Sequence, residues 1–157
     1  MSISSIFTNV SKVTFAEFNP NDTGVISYAV VASRFEEKWV FVRHRQRTTF
    51  EIPGGKREEG ESVLNAAKRE LFEETGATKC KITPIASYTI HFSDSTPPSS
   101  GVLCFASIYS MGSLPESEIE EVGMFKKTPP NLTYPAVHPY LMEKAVDYLR
   151  AREHFKI

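Results

Sequence analysis

The chain has 157 residues, of which 41% are hydrophobic and 11% aromatic, and its formal net charge at pH 7 is -1. This length and composition predict a single domain over residues 1–157, with a two-layer core and no room for a second full domain. The near-neutral charge argues against a protein that binds nucleic acid through many phosphate contacts. The oligomeric state is not readable from the sequence.

The N-terminal segment, residues 1–15, lacks a charged stretch followed by an apolar run, and no segment is long enough to span a bilayer. We therefore expect a cytoplasmic protein without a membrane partner. Cys80 and Cys104 have no metal-type partner at short spacing, so we expect reduced packing residues rather than a disulfide. The scattered histidines His91, His138 and His154 are expected to be structural or exposed.

The first third of the chain predicts a hairpin and a short strand. Val25–Ala32 and Trp39–Arg43 are rich in β-branched and aromatic residues, with a polar turn predicted over Ser33–Lys38. Phe50–Ile52 is predicted as a short strand. It ends in the turn Pro53–Gly55, where glycines allow a positive φ and a close approach of the backbone to a ligand.

A helix is predicted from Ser62 to Thr75, because the sequence SVLNAAKRELFEET contains good helix formers throughout. Ser62 suits the N-cap, and Gly76 stands where a left-handed residue ends many helices. The glutamates in this segment are therefore expected to lie on a helix.

Two long strands are predicted next, Cys80–Phe92 and Val102–Tyr109, joined by the loop Ser93–Gly101. Pro84 indicates an edge or a bulge in the first of them, because proline cannot donate to a ladder. Mixed with the helix, these strands indicate an α/β (α+β) protein.

The last part of the chain begins with an acidic run, Glu116–Glu121, followed by a short predicted strand, Val122–Phe125. Residues 128–131 interrupt regular structure with two prolines. Apolar residues then recur at helical spacing from Pro139 to about Arg152, which predicts an amphipathic helix with proline in its first turn.

Three glutamates of the predicted central helix share one face. Residues three and four apart on a helix are neighbours, so Glu70 lies beside Glu73 and Glu74. Like charges at these spacings cost a helix roughly 0.2 to 0.5 kcal/mol per pair. A hard cation such as Mg²⁺, which prefers carboxylate oxygens, would account for the cluster. A solvated acidic face is the alternative.

The spacing of glycines and charged residues around this helix forms a pattern. Its fixed positions are Gly55, Glu61, Arg69, Glu70, Leu71, Glu73, Glu74, Gly76 and Ala77. The pattern resembles the signature of the Nudix hydrolases, with Ala77 where a larger aliphatic residue is usual. The resemblance implies the Nudix fold, a mixed β-sheet held between helices.

The resemblance also implies a metal site. Glu73 and Glu74 would be ligands, directly or through water, and Glu70 would be a ligand or the group that polarises the attacking water. Gly54 or Gly55 would contribute a backbone carbonyl to the metal. The cofactor implied is Mg²⁺, with Mn²⁺ as a substitute.

Two further positions of the pattern are expected to support the catalytic glutamates. Arg69 matches an arginine that orients a neighbouring glutamate through charge-assisted hydrogen bonds, and Glu61 matches the glutamate before the helix. The alternative for Arg69 is a plain i,i+4 surface pair with Glu73, worth a few tenths of a kcal/mol.

Many members of the family take a further catalytic or ligating glutamate from a loop beyond the motif. The candidates in this chain are Glu116, Glu118, Glu120 and Glu121. We favour Glu120 and Glu121, because they directly precede the last predicted strand. A solvated acidic loop is the alternative.

Candidate substrate-binding residues lie on or just after the strand that leads to the glycine turn. Strand alternation places Trp39, Phe41 and Arg43 on one face. The aromatic residues would stack on a base, and Arg43 or Arg47 would hold phosphates. The alternative is aromatic packing with an exposed basic strand end. The opposite face of the strand consists of Val40, Val42 and His44.

The reaction implied by the resemblance is hydrolysis of a nucleoside diphosphate linked to another group. Marks of several subfamilies are absent, such as a proline near Phe92 in ADP-ribose pyrophosphatases and a tyrosine near Ser93 in dinucleoside polyphosphate hydrolases. Their absence favours a MutT-like nucleoside triphosphate pyrophosphohydrolase that releases a monophosphate and pyrophosphate. The alternatives are an ADP-ribose, nucleotide-sugar or RNA 5′-pyrophosphohydrolase, and a nucleotide-sensing module without catalysis.

Overall fold

The structure is a computed structural model and describes residues 8–21 and 26–154. Seven strands and two helices form in these residues. In chain order they are β1 (Val10–Ala16), β2 (Tyr28–Phe35), β3 (Lys38–His44), β4 (Gly54–Lys56), α1 (Val63–Thr75), β5 (Ala77–Phe92), β6 (Ser99–Met111), β7 (Ile119–Phe125) and α2 (His138–His154).

All seven strands join one sheet in the order β1-β5-β6-β2-β3-β7, with β4 paired to β2 beside β3. β2 and β6 run parallel, and the other paired strands run antiparallel. The predicted mixed sheet is therefore confirmed. The edge of β2 that faces away from β6 is shared, because β4 pairs with its first half and β3 with its second half. Beyond these pairs β2 and β3 diverge, and the segment before β4 lies between them. Glu51 exchanges two hydrogen bonds of 2.9 Å with Val42 of β3, and the Val31 N–H donates to the carbonyl of Pro53 at 2.8 Å.

Strand alternation sends successive side chains to two cores, one on each face of the sheet. Val30 and Ala32 of β2 pack toward α2, whereas Ala29 and Val31 pack toward α1. Each helix thus buries its apolar stripe against one face. The predicted arrangement of a sheet between helices is confirmed.

The hairpin of β2 and β3 is confirmed, but its turn is shorter than predicted. Val25 lies outside the described residues, and Ser33–Phe35 belongs to β2 instead of the turn. Only Glu36 and Glu37 form the turn, with φ of 51° and 65°. Polar composition suggested a long turn, whereas cross-strand pairing of Phe35 with Lys38 extends both strands.

The Pro53–Gly55 segment differs from the predicted turn. Gly54 and Gly55 are the first residues of β4 and do not have positive φ. Gly54 is needed for close packing, because an added Cβ would lie 2.5 Å from the carbonyl oxygen of Ala29. The glycines therefore permit a close approach of the backbone, without the unusual φ.

The caps of α1 are those expected from the sequence. The Ser62 side chain accepts a hydrogen bond from the Asn65 N–H, and Gly76 adopts a φ of 78° in the left-handed region. The Gly76 N–H donates to the carbonyl of Phe72, which ends the helix. These caps set the register of the glutamates.

The predicted strands of the second half are confirmed with longer bounds. The register of β5 against β6 shifts between Pro84 and Ala86, as expected for a bulge at proline. Glu120 and Glu121, predicted to precede the last strand, lie within β7. The strand β1 was not predicted, since it is a partly buried edge strand with little apolar alternation.

Both cysteines, Cys80 and Cys104, are free thiols. In the part of the chain that the structure describes, no helix is both long and apolar enough to cross a membrane. A single domain over residues 1–157 and a cytoplasmic location remain predictions.

Candidate functional site

Glu74 and Glu70 of α1 are set against the β4 glycines. Oε1 of Glu74 accepts a 2.8 Å hydrogen bond from the Gly54 N–H. The Glu70 carboxylate lies so close to Gly55 that an added Cβ would be 2.4 Å from its Oε1. Only glycine at position 55 lets the carboxylate occupy this place, so β4 and α1 pack together as one unit.

These carboxylates are partly withdrawn from water. Burial raises the pKa of Glu74 to about 8, although the Gly54 hydrogen bond opposes the rise. Burial also raises the pKa of Glu70, against the opposing hydrogen bond and charge of Arg69. A bound cation would favour the ionised forms of both groups. The chemistry of this donor set fits a hard divalent ion.

Arg69 connects the glutamate before the helix with those on it. Its Nε and one terminal nitrogen donate to the two oxygens of Glu61, at 2.8 and 2.9 Å, and its other terminal nitrogen donates to Glu70 at 2.8 Å. The contact with Glu73 is longer, at 3.4 Å. The hydrogen bonds from Arg69 hold the pKa of Glu61 down to about 2. Arg69 therefore makes much more than an i,i+4 surface pair.

Glu70, Glu73 and Glu74 of α1 line an acidic pocket of about 440 Å³. Glu116 and Glu118 line it, whereas the favoured candidates Glu120 and Glu121 do not. Glu121 instead pairs with Arg43 at 3.2 Å, on the paired strands β7 and β3. The premise for favouring Glu120 and Glu121 was wrong, because both residues lie within β7 and do not precede it. The lining consists of His44, Glu70, Glu73, Glu74, Glu116, Ser117, Glu118 and Ile119.

Glu51, His44 and Arg47 form a buried ionic network that was not predicted from the sequence. The network adjoins Glu74, because Nε2 of His44 lies 3.9 Å from the Glu74 carboxylate. Glu51 is 7% exposed and lies 2.9 Å from Nε2 of His44 and 3.0 Å from Arg47. Burial opposes ionisation of Glu51, but the His44 hydrogen bond and the nearby positive charges outweigh it and lower its pKa. The same hydrogen bond raises the pKa of His44.

His44, Glu51 and Glu74 offer ligand atoms within 4.8 Å of one another. Two features of the sequence could have identified this group, although neither was used to predict it. His44 is on the face of β3 opposite Trp39, and Glu51 is a lone charge between apolar neighbours just before the glycines.

The predicted substrate-binding residues have other partners in the structure. Trp39 and Phe41 are 4% and 0% exposed and pack in the core on the α2 side, which is the packing alternative. Arg43 also donates to the carbonyl of Arg47 at 3.0 Å, and Arg47 pairs with Glu51. The aromatic pair is therefore closed off from a base, and both arginines are held in intramolecular contacts.

A second, largely apolar cavity of about 390 Å³ adjoins the acidic pocket. Residues of β2, β4 and β5 and the last residue of β3 line it, and the start of α2 forms one wall. His44, Glu74 and Glu118 line both spaces and form their boundary. The remaining lining residues are Tyr28, Val30, Glu51, Ile52, Gly54, Gly55, Lys56, Tyr88, Ile90, Tyr134, Val137 and His138.

Comparison with protein families identifies the family of this chain. The model of the NUDIX domain matches residues 25–140, which is most of the chain. The chain belongs to the Nudix family. The Nudix pattern recognised in the sequence, from Gly55 to Ala77, lies within the matched range.

Two curated proteins are similar to the Nudix chain over part of its length. An ADP-ribose pyrophosphatase of Bacillus subtilis is 44% identical over 64 residues, which are 38% of this chain and 35% of the relative. A protein named as a putative 8-oxo-dGTP diphosphatase of the same organism is 40% identical over 60 residues, 38% of this chain and 37% of the relative. The matches thus span little more than a third of either relative.

Solved structures share the Nudix fold with this chain. The Bacillus subtilis pyrophosphohydrolase BsRppH, solved as a point mutant, has a TM-score of 0.70 at 24% identity, covering 87% of this chain and 90% of that one. The NUDIX domain of Shewanella oneidensis NrtR, complexed with ADP ribose, has a TM-score of 0.60 at 18% identity, covering 95% and 99%. At these identities, the likeness establishes the fold alone.

Proposed function

We propose that this Nudix protein hydrolyses a nucleoside diphosphate linked to another group, with Mg²⁺ as cofactor and Mn²⁺ as a substitute. The supporting observation is the pair of adjoining spaces that share His44, Glu74 and Glu118. One is acidic and suits a metal-bound diphosphate, and the other is apolar and suits the rest of a nucleotide. A single nucleotide would fill both.

The metal would be held by Glu70, Glu73 and Glu74, with a backbone carbonyl of Gly54 or Gly55. Bound there, Mg²⁺ supplies charge neutralisation of the phosphates and a lowered pKa for a bound water. Burial of Glu74, which raises its pKa to about 8, favours this role, because a cation would offset the cost of its ionisation. Glu70 is a candidate for either a ligand or the group that accepts a proton from the attacking water.

Other residues of the chain would hold this group in place. Arg69 fixes Glu70 through a 2.8 Å hydrogen bond while Glu61 holds the other side of its guanidinium. Such preorganisation allows a carboxylate to act without rearranging during the reaction. Glu118, at the boundary of the two spaces, replaces Glu120 and Glu121 as our preferred glutamate from beyond the helix.

We infer that the substrate is a nucleoside triphosphate, cut to a monophosphate and pyrophosphate. The name of the putative 8-oxo-dGTP diphosphatase relative supports this class, and that of the ADP-ribose pyrophosphatase relative supports the alternative. Nucleotide sugars and the 5′ end of RNA remain alternatives of the same chemistry.

Hydrolysis of a defined panel with Mg²⁺ tests the proposal. The panel comprises ordinary and 8-oxo nucleoside triphosphates, ADP-ribose, a sugar nucleotide, a dinucleoside polyphosphate and 5′-triphosphate RNA. We expect the highest kcat/KM for a triphosphate, with monophosphate and pyrophosphate as products and no turnover in EDTA. Stepwise release of orthophosphate would contradict the bond assignment. Absence of turnover on every compound would favour a nucleotide-sensing module.

A further inference from the structure

His138, the first residue of α2, is held in one orientation on the wall of the apolar cavity. Its ring is 6% exposed and packs edge-on against Tyr134, with ring centroids 5.0 Å apart. Nδ1 lies 3.2 Å from the backbone nitrogen of Ile52, which donates a hydrogen bond to it. An accepting ring nitrogen has no proton, so the neutral ring has its proton on Nε2.

The electrostatics of the site agree with this tautomer. Burial lowers the pKa of His138 to about 4, although the charge of Glu51 opposes the shift. The imidazole is therefore neutral at pH 7, and Nε2 is a hydrogen-bond donor there. Within residues 8–21 and 26–154, no group accepts a hydrogen bond from this nitrogen.

Tyr88 of β5 places a second polar group in the same cavity. It is 5% exposed, and its hydroxyl lies over Gly101, where an added Cβ would be 2.4 Å from the oxygen. In the described part of the chain this hydroxyl has no hydrogen-bond partner either. Neither atom is sealed from the cavity, because among the described residues the fully buried side-chain polar atom without a partner is Ser33 Oγ. Two unpartnered polar groups that open onto one largely apolar cavity indicate a ligand with polar atoms on its edge.

We propose that the cavity holds the nucleobase of the substrate, with His138 Nε2 and the Tyr88 hydroxyl as the groups that bind the edge of the base. His138 donates to a carbonyl oxygen or an unprotonated ring nitrogen, and the tyrosine hydroxyl either donates or accepts. The apolar walls formed by Val30, Ile52 and Ile90 contact its faces. The class of ligand rests on the proposed function, but the roles of these two residues do not depend on hydrolysis.

The position of the cavity gives the bound nucleotide a direction. Its volume of about 390 Å³ lies within the range of roughly 300–1,000 Å³ that is typical of small-molecule sites. The cavity that holds the base meets the acidic pocket at His44, Glu74 and Glu118, which line both spaces. The phosphates then extend toward the glutamates of α1.

Binding of nucleoside monophosphates in EDTA tests the proposal without any metal or turnover. The probes are AMP, GMP, CMP and UMP, with ribose 5-phosphate as the ligand that lacks a base, and Kd is measured by isothermal titration calorimetry. We expect the best nucleotide to bind about tenfold or more tightly than ribose 5-phosphate. In the wild-type protein it should also shift the Nε2 resonance of His138 in histidine ¹⁵N spectra.

Three variants separate hydrogen bonding from folding. His138→Asn keeps an acceptor for the Ile52 N–H but does not reach the Nε2 position, while His138→Gln places an amide donor near it. We expect the asparagine variant and Tyr88→Phe each to weaken the best nucleotide about three- to tenfold, the value of one net hydrogen bond. His138→Gln should recover part of the loss, and none of the three should change ribose 5-phosphate binding. Tyr140→Phe, at an exposed tyrosine, is the matched control.

Equal Kd values for ribose 5-phosphate and every nucleotide would overturn the proposal, as would the absence of binding by all five compounds. Wild-type affinity in both His138→Asn and Tyr88→Phe, or an unshifted Nε2 resonance on saturation, would also overturn it. Base-dependent binding without hydrolysis of the substrate panel would instead sink the proposed function and leave the base site standing.

Discussion

The backbone N–H of Gly54 donates a 2.8 Å hydrogen bond to Oε1 of Glu74, which ties the last turn of α1 to the short strand β4. Glu74 as a whole residue is 9% exposed. Its position combines a fixed geometry with a high cost of ionisation, and both properties suit a metal ligand.

Glu74→Gln is expected to lower kcat at least about a hundredfold with the fold intact. The amide oxygen can still accept from Gly54, but a neutral side chain cannot neutralise a cation. Initial rates with the best panel substrate and circular dichroism measure the two effects. Glu143→Gln, on the exposed side of α2, is the matched control. Wild-type turnover in Glu74→Gln would contradict the assignment.

Gly54→Ala and Gly55→Ala should fail in different ways. At position 54 the new methyl group meets the backbone of Ala29, which cannot move aside, so we expect a loss of about 1–3 kcal/mol in unfolding free energy. At position 55 it meets the Glu70 carboxylate, which can rotate away. That variant should lose activity about tenfold or more with a smaller loss of stability.

Urea unfolding and initial rates measured on both glycine variants test this contrast. Gly60→Ala provides the control, since Gly60 has a φ of +78° with open space around it and should lose stability only, by about 1 kcal/mol. Equal losses of stability at positions 54 and 55 would contradict the packing argument.

Stability in EDTA should fall as pH rises from 6.5 to 8. The pKa of Glu74 is raised from 4.5 to about 8 in the folded state, so between these two pH values the native protein binds more protons than the unfolded chain. Stability is therefore lost as pH rises through that pKa. His44, whose pKa is also raised, contributes in the same direction, whereas His138 has its effect below pH 6.5.

The Glu74→Gln variant isolates the contribution of Glu74 to this pH dependence. Thermal unfolding in EDTA should show a smaller decrease in Tm between pH 6.5 and 8 for the variant than for the wild type. Added Mg²⁺ should raise the wild-type Tm most at pH 8. Parallel Tm profiles for the two proteins would show that Glu74 does not titrate in this range.

Arg69→Lys is expected to lower kcat/KM about tenfold to a hundredfold. Lysine keeps the charge but cannot bind Glu61 with two parallel hydrogen bonds while also donating to Glu70. Steady-state kinetics measure the effect, with Arg150→Lys on the exposed side of α2 as control. A role limited to the surface pair with Glu73 predicts no change.

Glu118→Gln and Glu120→Gln distinguish the two views of the acidic segment. Glu118 lines both spaces and lies 3.6 Å from His44, whereas Glu120 is exposed on β7 and lines neither. We expect a loss of about tenfold or more in kcat for Glu118→Gln and little change for Glu120→Gln. The reverse result would restore the preference based on position before a strand.

Local spacing was sufficient to predict the Nudix family, the bounds of α1 and the face shared by its glutamates. These features depend on residues close in sequence, such as the cap at Ser62, the left-handed Gly76 and the i,i+3 and i,i+4 contacts of Glu70. The helical period converts such spacing directly into geometry. The hairpin and the bulge at Pro84 were also predictable from local sequence, because they depend on strand-forming residues beside a turn and on the missing N–H of proline.

Only the tertiary structure decided which distant residues complete the site. Strand alternation predicted Trp39 and His44 on opposite faces, but it could not tell that the aromatic residues pack under α2 while His44 meets Glu51 and Glu74. Those contacts depend on how β3 and β4 share the edge of β2 and on where α2 begins. The sequence alone therefore determined the glutamate helix and the face that its acids share, because these depend on local spacing, whereas long-range pairing decided the cavity beside it and the place of His138 in its wall.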